Sequence, residues 1–150
     1  MRTIGGKSGF TLAEMLVVLG LLAVILAITL PIAPRSMAER QLDEAAERLA
    51  STLRDARSRA MLRSTREMVT VDARHRRFVD ETTGSVNDIA QDITFTATGI
   101  DRRQGEDVVT YVFFPDGGST GGFILLRRSG YEREVAISWL TGHVTAGHPP

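Results

Sequence analysis

Between Met15 and Ile28 the chain carries no polar side chain. The apolar stretch around it, residues 10–33, reads FTLAEMLVVLGLLAVILAITLPIA. As a helix it would extend about 36 Å, enough to cross a hydrocarbon core of about 30 Å. A helix apolar on every face can otherwise be buried only inside a protein much larger than 150 residues. Residues 10–33 are therefore expected to span a membrane. Arg2 and Lys7 precede the span, which places the N-terminus on the cytoplasmic side and sends the rest across. Arg35 and Arg40 follow it and weaken that asymmetry. Pro31 deletes a backbone hydrogen bond and clashes one turn back, and Pro34 follows, so a kink or break is expected there.

The rest of the chain is long enough for one core. From Ser36, residues such as Leu42, Ala45, Leu49, Leu53, Ala56 and Ala60 recur at helical spacing. Charges fill the other positions, with Glu44 and Arg48 in the favourable i,i+4 order. This predicts an amphipathic helix over 34–63, whose apolar stripe must pack on the C-terminal half. Residues 64–150 read as short strands. Expected strands are Glu67–Val71 with Arg77–Asp80 as a hairpin, the alternating Ile93, Phe95 and Ala97, Val108–Phe114, Phe123–Leu126 and Val135–Trp139. Turns are expected at Ser129–Gly130 and Thr141–Gly142. The fold class is α+β: one long N-terminal helix, its first half transmembrane, packed through its second half on an antiparallel, sandwich-like sheet domain.

Composition and charge remove several functions. Cysteine is absent, which excludes a disulfide framework, a thiolate nucleophile and a Cys-based metal site. Residues 35–77 hold 11 Arg against 7 acids, whereas residues 78–150 hold 5 Arg against 10 acids. A nucleic-acid footprint needs a dense basic surface, so no nucleic-acid partner is expected. His75, His143 and His148 show no H-x-x-x-H or H-E-x-x-H spacing, and Asp101, Glu106, Asp107 and Asp116 form no EF-hand loop. No metal, cofactor or catalytic cluster is expected, and no Gly-x-Ser-x-Gly elbow is assigned at Ser119. Arg57, Arg59, Arg63 and Arg66 are expected to form a solvated basic face.

A secretory signal peptide would be cut after its apolar region, yet no small-residue A-x-A site closes this one. The informative motif lies at the other end: Lys7-Ser8-Gly9-Phe10-Thr11-Leu12-Ala13-Glu14. A basic leader, Gly, Phe, a carboxylate four residues on and then an apolar span resemble the signature of type IV prepilins and pseudopilins. The resemblance covers residues 1–34. It implies that residues 1–9 form a leader, that a membrane prepilin peptidase cuts between Gly9 and Phe10, and that Phe10 is N-methylated. It also implies that the span serves first as anchor and then as filament core. Glu14 has a physical argument of its own. A carboxylate at mid-bilayer costs about 2.5–3.5 kcal/mol, less near the interface. Glu14 lies about 6 Å up the helix from Phe10. A neighbouring subunit's free amine could pair with it in the filament core and fix the axial register.

The second signature is Phe113-Phe114-Pro115-Asp116-Gly117-Gly118-Ser119-Thr120-Gly121-Gly122. Its Gly content invites a phosphate-loop reading, but no Lys-Ser/Thr follows and a strand comes next. A long hairpin loop is expected, with Asp116, Gly117, Gly118, Ser119, Thr120, Gly121 and Gly122 as a partner-contact loop having little packing duty at its tip. This loop and Val135–Val144, containing Trp139-Leu140-Thr141-Gly142, resemble the C-terminal domain of the minor pseudopilin H family of type II secretion. The resemblance implies a structural subunit at or near the tip of a periplasmic pseudopilus, supporting protein export across the outer membrane. The implied partners are other minor and major pseudopilins, the prepilin peptidase, an inner-membrane assembly platform and membrane lipid. The implied location is the bacterial inner membrane, single-pass, with the C-terminal domain periplasmic. Minor type IV pilins of the FimT and FimU kind share the domain and remain the alternative.

Overall fold

The computed structural model describes residues 11–29, 36–99 and 107–149. Gly9, Phe10, Pro31 and Pro34 lie outside them. The chain divides into two units, Met1–Arg35 and Ser36–Pro150. In the first, α1 runs over Leu12–Thr29. Thr11 caps it: the Glu14 N–H approaches the Thr11 carbonyl at 3.1 Å and its Oγ1 at 3.3 Å. Its 18 residues amount to about 27 Å. Among the described residues no helix is long and apolar enough to cross a membrane.

In the second unit, α2 spans Met37–Arg63. Ser36 is its N-cap, with Oγ accepting from the Glu39 N–H at 3.1 Å. Ser64 closes it in a left-handed conformation, φ 53°, its N–H returning to the Ala60 carbonyl. Leu42, Ala45, Leu49, Leu53, Ala56 and Ala60 form the buried stripe. The alanines let the helix approach the sheets closely, and each leucine contributes about 1.5–3 kcal/mol by its burial.

Eight strands follow: β1 Glu67–Asp72, β2 Arg77–Asp80, β3 Ser85–Asp88, β4 Thr94–Gly99, β5 Val108–Phe113, β6 Gly122–Arg128, β7 Tyr131–Ile137 and β8 Val144–Gly147. They form two antiparallel sheets, in the orders β3-β2-β1-β5 and β4-β6-β7-β8. Period-2 alternation decides which side chains face inward. Val69, Val71, Tyr111 and Phe113 of the first sheet, and Ile124, Leu126, Val135 and Ile137 of the second, join the α2 stripe in one core. Tyr111 fastens the sheets together. Its buried hydroxyl donates towards the Thr98 carbonyl at 3.0 Å, with the Phe123 carbonyl 3.2 Å away. Burial pushes the phenol well above its usual pKa.

The α+β expectation holds, a helix on two antiparallel sheets. Three details differ. β3 and β8 were not expected: Ser85–Asp88 has no apolar alternation and no buried residue, and β8 has only four residues. Main-chain pairing to β2 and β7 makes them strands. β7 also ends at Ile137, and Trp139 lies beyond it in a turn. The Ser138 N–H bonds to the His143 carbonyl, and the Gly142 N–H to the Ser138 carbonyl, which reverses the chain there.

Candidate functional site

The Gly-rich loop is packed rather than free. Gly117, Gly118, Ser119 and Gly121 are buried, and only Pro115 and Asp116 are exposed at its tip. The Asp116 Oδ1 accepts from the Gly118 N–H at 2.9 Å, and the Phe114 N–H bonds to the Gly118 carbonyl at 2.9 Å. The Thr120 N–H bonds to the Val112 carbonyl and its Oγ1 accepts from the Val112 N–H, so the loop also borders β5. The expectation of little packing duty therefore fails. Its cause is a second loop, residues 138–143, seated against the first. The Ser119 N–H donates to the Trp139 carbonyl at 3.0 Å. A Cβ on Gly121 would stand 2.8 Å from the Trp139 Cβ, and one on Gly142 would stand 2.4 Å from the Gly117 carbonyl oxygen. Both positions also have positive φ, so glycine is required twice over.

Gly117-Gly118-Ser119-Thr120-Gly121 does spell Gly-x-Ser-x-Gly, a correction to the sequence reading. The geometry is nevertheless not that of a nucleophile elbow, where a strand turns sharply into a helix. The Ser119 Oγ donates to the Ser138 carbonyl at 2.9 Å and accepts from the Gly121 N–H at 3.0 Å, and strand β6 follows. The hydroxyl ties the two loops together.

The arginine cluster is a second correction. Arg57 Nε donates to the Thr141 carbonyl at 2.9 Å and reaches the Gly117 carbonyl at 3.3 Å, pinning both loops to α2. Arg59 reaches Glu67 Oε2 at 3.2 Å and also pairs with Asp80, and both carboxylates are buried. Burial alone would lower the Arg59 pKa, but the two carboxylates outweigh it and raise it. Arg66 lies 5.6 Å from the centre of the Phe114 ring. Arg63 and Arg66 are exposed and fit the expected solvated face; Arg57 and Arg59 do not. Arg133 mirrors Arg59 from the other side: buried on β7, it binds Glu39 at 3.0 Å and also Asp43, both on α2. One arginine thus ties each sheet to the helix. Glu39, in the first turn after the Ser36 cap, was the available sequence signal.

Glu14 is exposed in the first turn of α1, and among the described residues no basic side chain is shown paired with it. Also among the described residues, no group of three His, Asp or Glu side chains could hold a metal ion.

The comparisons agree in direction. The family of the type II transport protein GspH matches residues 45–142, and the prokaryotic N-terminal methylation motif matches residues 5–30. The type II secretion system protein H of Xanthomonas campestris pv. campestris is 30% identical over 142 residues, covering 93% of this chain and 82% of that protein. The minor pseudopilin EpsH from the type 2 secretion system of Vibrio cholerae shares the fold at TM-score 0.58 and 12% identity, over 73% of this chain and 98% of that one. The type IV minor pilin FimU of Pseudomonas aeruginosa shares it at TM-score 0.54 and 20% identity, over 74% and 90%.

Proposed function

The chain belongs to the type II transport protein GspH family, and from that membership we propose that it takes its place at or near the tip of a type II secretion pseudopilus and supports export across the outer membrane. The family is a structural pseudopilin one rather than a family of enzymes. Residues 1–9 are removed, Phe10 becomes the methylated N-terminus, and the apolar run from Phe10 anchors the subunit in the inner membrane before entering the fibre core. The prepilin peptidase acts on the Gly9–Phe10 bond, and an inner-membrane platform assembles the subunit with other pseudopilins.

The observation that carries this reading is the start of α1. The Thr11 Oγ1 accepts from the Glu14 N–H, so a cut before Phe10 leaves this cap in place. It leaves an amine beside the positive end of the helix dipole, an unfavourable placement that a carboxylate relieves. Glu14 sits in that first turn with no described partner and is available to a neighbouring subunit's amine. A type IV minor pilin is the second reading. The likeness to FimU speaks for the fold alone, which both machines share.

Intact-mass analysis of the membrane-extracted protein tests the proposal. The expected species lacks residues 1–9 and carries one added methyl group. A mature start beyond Ala33 would overturn it. Glu14→Ala should still insert and still be cleaved, because removing a charge from an apolar span favours insertion. It should enter the fibre poorly, read as loss of crosslinks to other pseudopilins and of secretion. Wild-type assembly and secretion in that variant would remove the pairing role.

A further inference from the structure

Four large apolar side chains stand out of the second unit where α2 ends. Leu62 is 85% exposed and Met61 42%; in the turn after β7, Trp139 is 69% exposed and Leu140 67%. Gly117 and Gly142 stand between Met61 and that turn. Met61 Sδ lies 3.1 Å from where a Gly117 Cβ would be, and the Gly117 carbonyl oxygen lies 2.4 Å from where a Gly142 Cβ would be. Trp139 and Leu140 do not sit on a loose loop. The Ser119 main-chain N–H holds the Trp139 carbonyl and the Arg57 side chain the Thr141 carbonyl, so the turn is fixed from below by the β5–β6 loop and α2.

We propose that Trp139, Leu140, Met61 and Leu62 form a preorganised docking surface for a different fibre subunit, one presenting carboxylates around an apolar pocket. This rests on the pseudopilus reading and deepens it by naming the contact and the chemistry of the partner. The Gly-rich loop then acts as the socket that holds the contact turn. Charge complementarity selects the partner. Arg63 and Arg66, which follow Leu62 closely in the chain, are exposed, while Asp116 in the Gly-rich loop has one oxygen engaged by the Gly118 N–H. The patch is cationic at its border and apolar at its centre. Trp, Met and Arg are the side chains enriched in interface cores, and a fixed Trp loses little entropy on docking. The position fits as well. The patch lies at the far end of a 27-residue helix from Ser36, about 40 Å from the end through which the chain continues to α1.

The test uses the full-length chain in its own membrane, with the other fibre subunits present. A photoreactive phenylalanine analogue is placed at position 140, at position 86 on β3 and at position 17 on α1. Adducts from position 140 to another pseudopilin are expected, with few from position 86. Combining Trp139→Ala with Leu62→Glu should cut the position-140 adduct by at least about tenfold, the size of a tryptophan hot spot. Thermal unfolding of that variant should match wild type, because both side chains are exposed. Arg63→Glu should lower the adduct several-fold, and raising the salt should lower it in wild type. Adducts from position 17 but none from position 140 would overturn the docking surface and leave the pseudopilus reading standing. No subunit adduct from either position would count against both. Lipid adducts at position 140, or adducts to a second copy of this chain, would overturn the proposed partner.

Discussion

The two helices begin with the same local grammar and end in opposite situations. α1 starts Thr11-Leu-Ala-Glu14 and α2 starts Ser36-Met-Ala-Glu39, and in each the cap hydroxyl accepts from the glutamate N–H. Capping therefore says where each helix begins and nothing about where it lives. The faces decide that. α2 confines its apolar residues to one stripe, and the sheets bury it. The described side chains of α1 are apolar all round after Glu14 and exposed in the monomer. The carboxylates repeat the contrast: Arg133 holds Glu39, while no described partner is shown for Glu14. A helix whose needs are met inside the chain specifies a domain. One whose needs are not met requires surroundings from outside, lipid or other subunits.

Breaking what α2 has should cost the most. In the fragment 36–150, which contains every residue of the core, Arg59→Ala leaves Glu67 and Asp80 buried without their cation. The expected loss is about 3–5 kcal/mol in urea unfolding. A loss under about 1 kcal/mol would mean water reaches those carboxylates. Next comes Leu49→Ala, at about 2–5 kcal/mol, since Leu49 is fully buried. Its counterpart sharpens the comparison: Leu19→Ala on α1, in the detergent-solubilised full chain, should leave unfolding of the sheet unit unchanged. Ser36→Ala should cost about 1 kcal/mol through the lost cap.

These differences also explain what the sequence could show. Leu42 to Ala60 are legible because a 3.6-residue period survives any choice of partner, and Phe95, Ala97 and Ile124 because a half-buried strand alternates. The missed elements carry no such period. Ser85–Asp88 is a strand only because β2 pairs with it, and a pairing edge leaves no mark on side-chain type. The arginines mislead for a related reason. Arg57 and Arg59 sit in the charged part of the pattern, and only the return of Thr141, Glu67 and Asp80 across the chain turns them from solvated groups into tethers. The loop glycines announce unusual backbone, but whether the cause is mobility or close packing depends on Trp139, 18 residues beyond Gly121.

The smallest effect separates a carboxylate satisfied within the chain from one that is not. Asp72 ends β1, largely buried, and accepts from the His75 N–H at 3.1 Å and the His75 Nδ1 at 2.6 Å, with Arg77 Nε at 3.7 Å. Burial would raise its pKa, but these partners outweigh it and hold the carboxyl below its ordinary 3.8. The sign follows. With the folded value below the unfolded one, Asp72 contributes its full stability above pH 3.8, and the contribution fades as pH falls through the lower folded value. Asp72→Asn keeps an oxygen for the His75 N–H, but removes the charge and replaces the oxygen facing His75 Nδ1 and Arg77 with an amide NH2. The variant should be less stable than wild type at pH 6, with the gap narrowing below about pH 4 and closing in stronger acid. Glu14→Gln, for which no such partner is shown among the described residues, should leave the acid profile of the sheet unit unchanged. Urea midpoints taken from pH 7 down to pH 2 measure both. A gap for Asp72→Asn that stays constant to the lowest pH would assign the loss to turn geometry instead of charge.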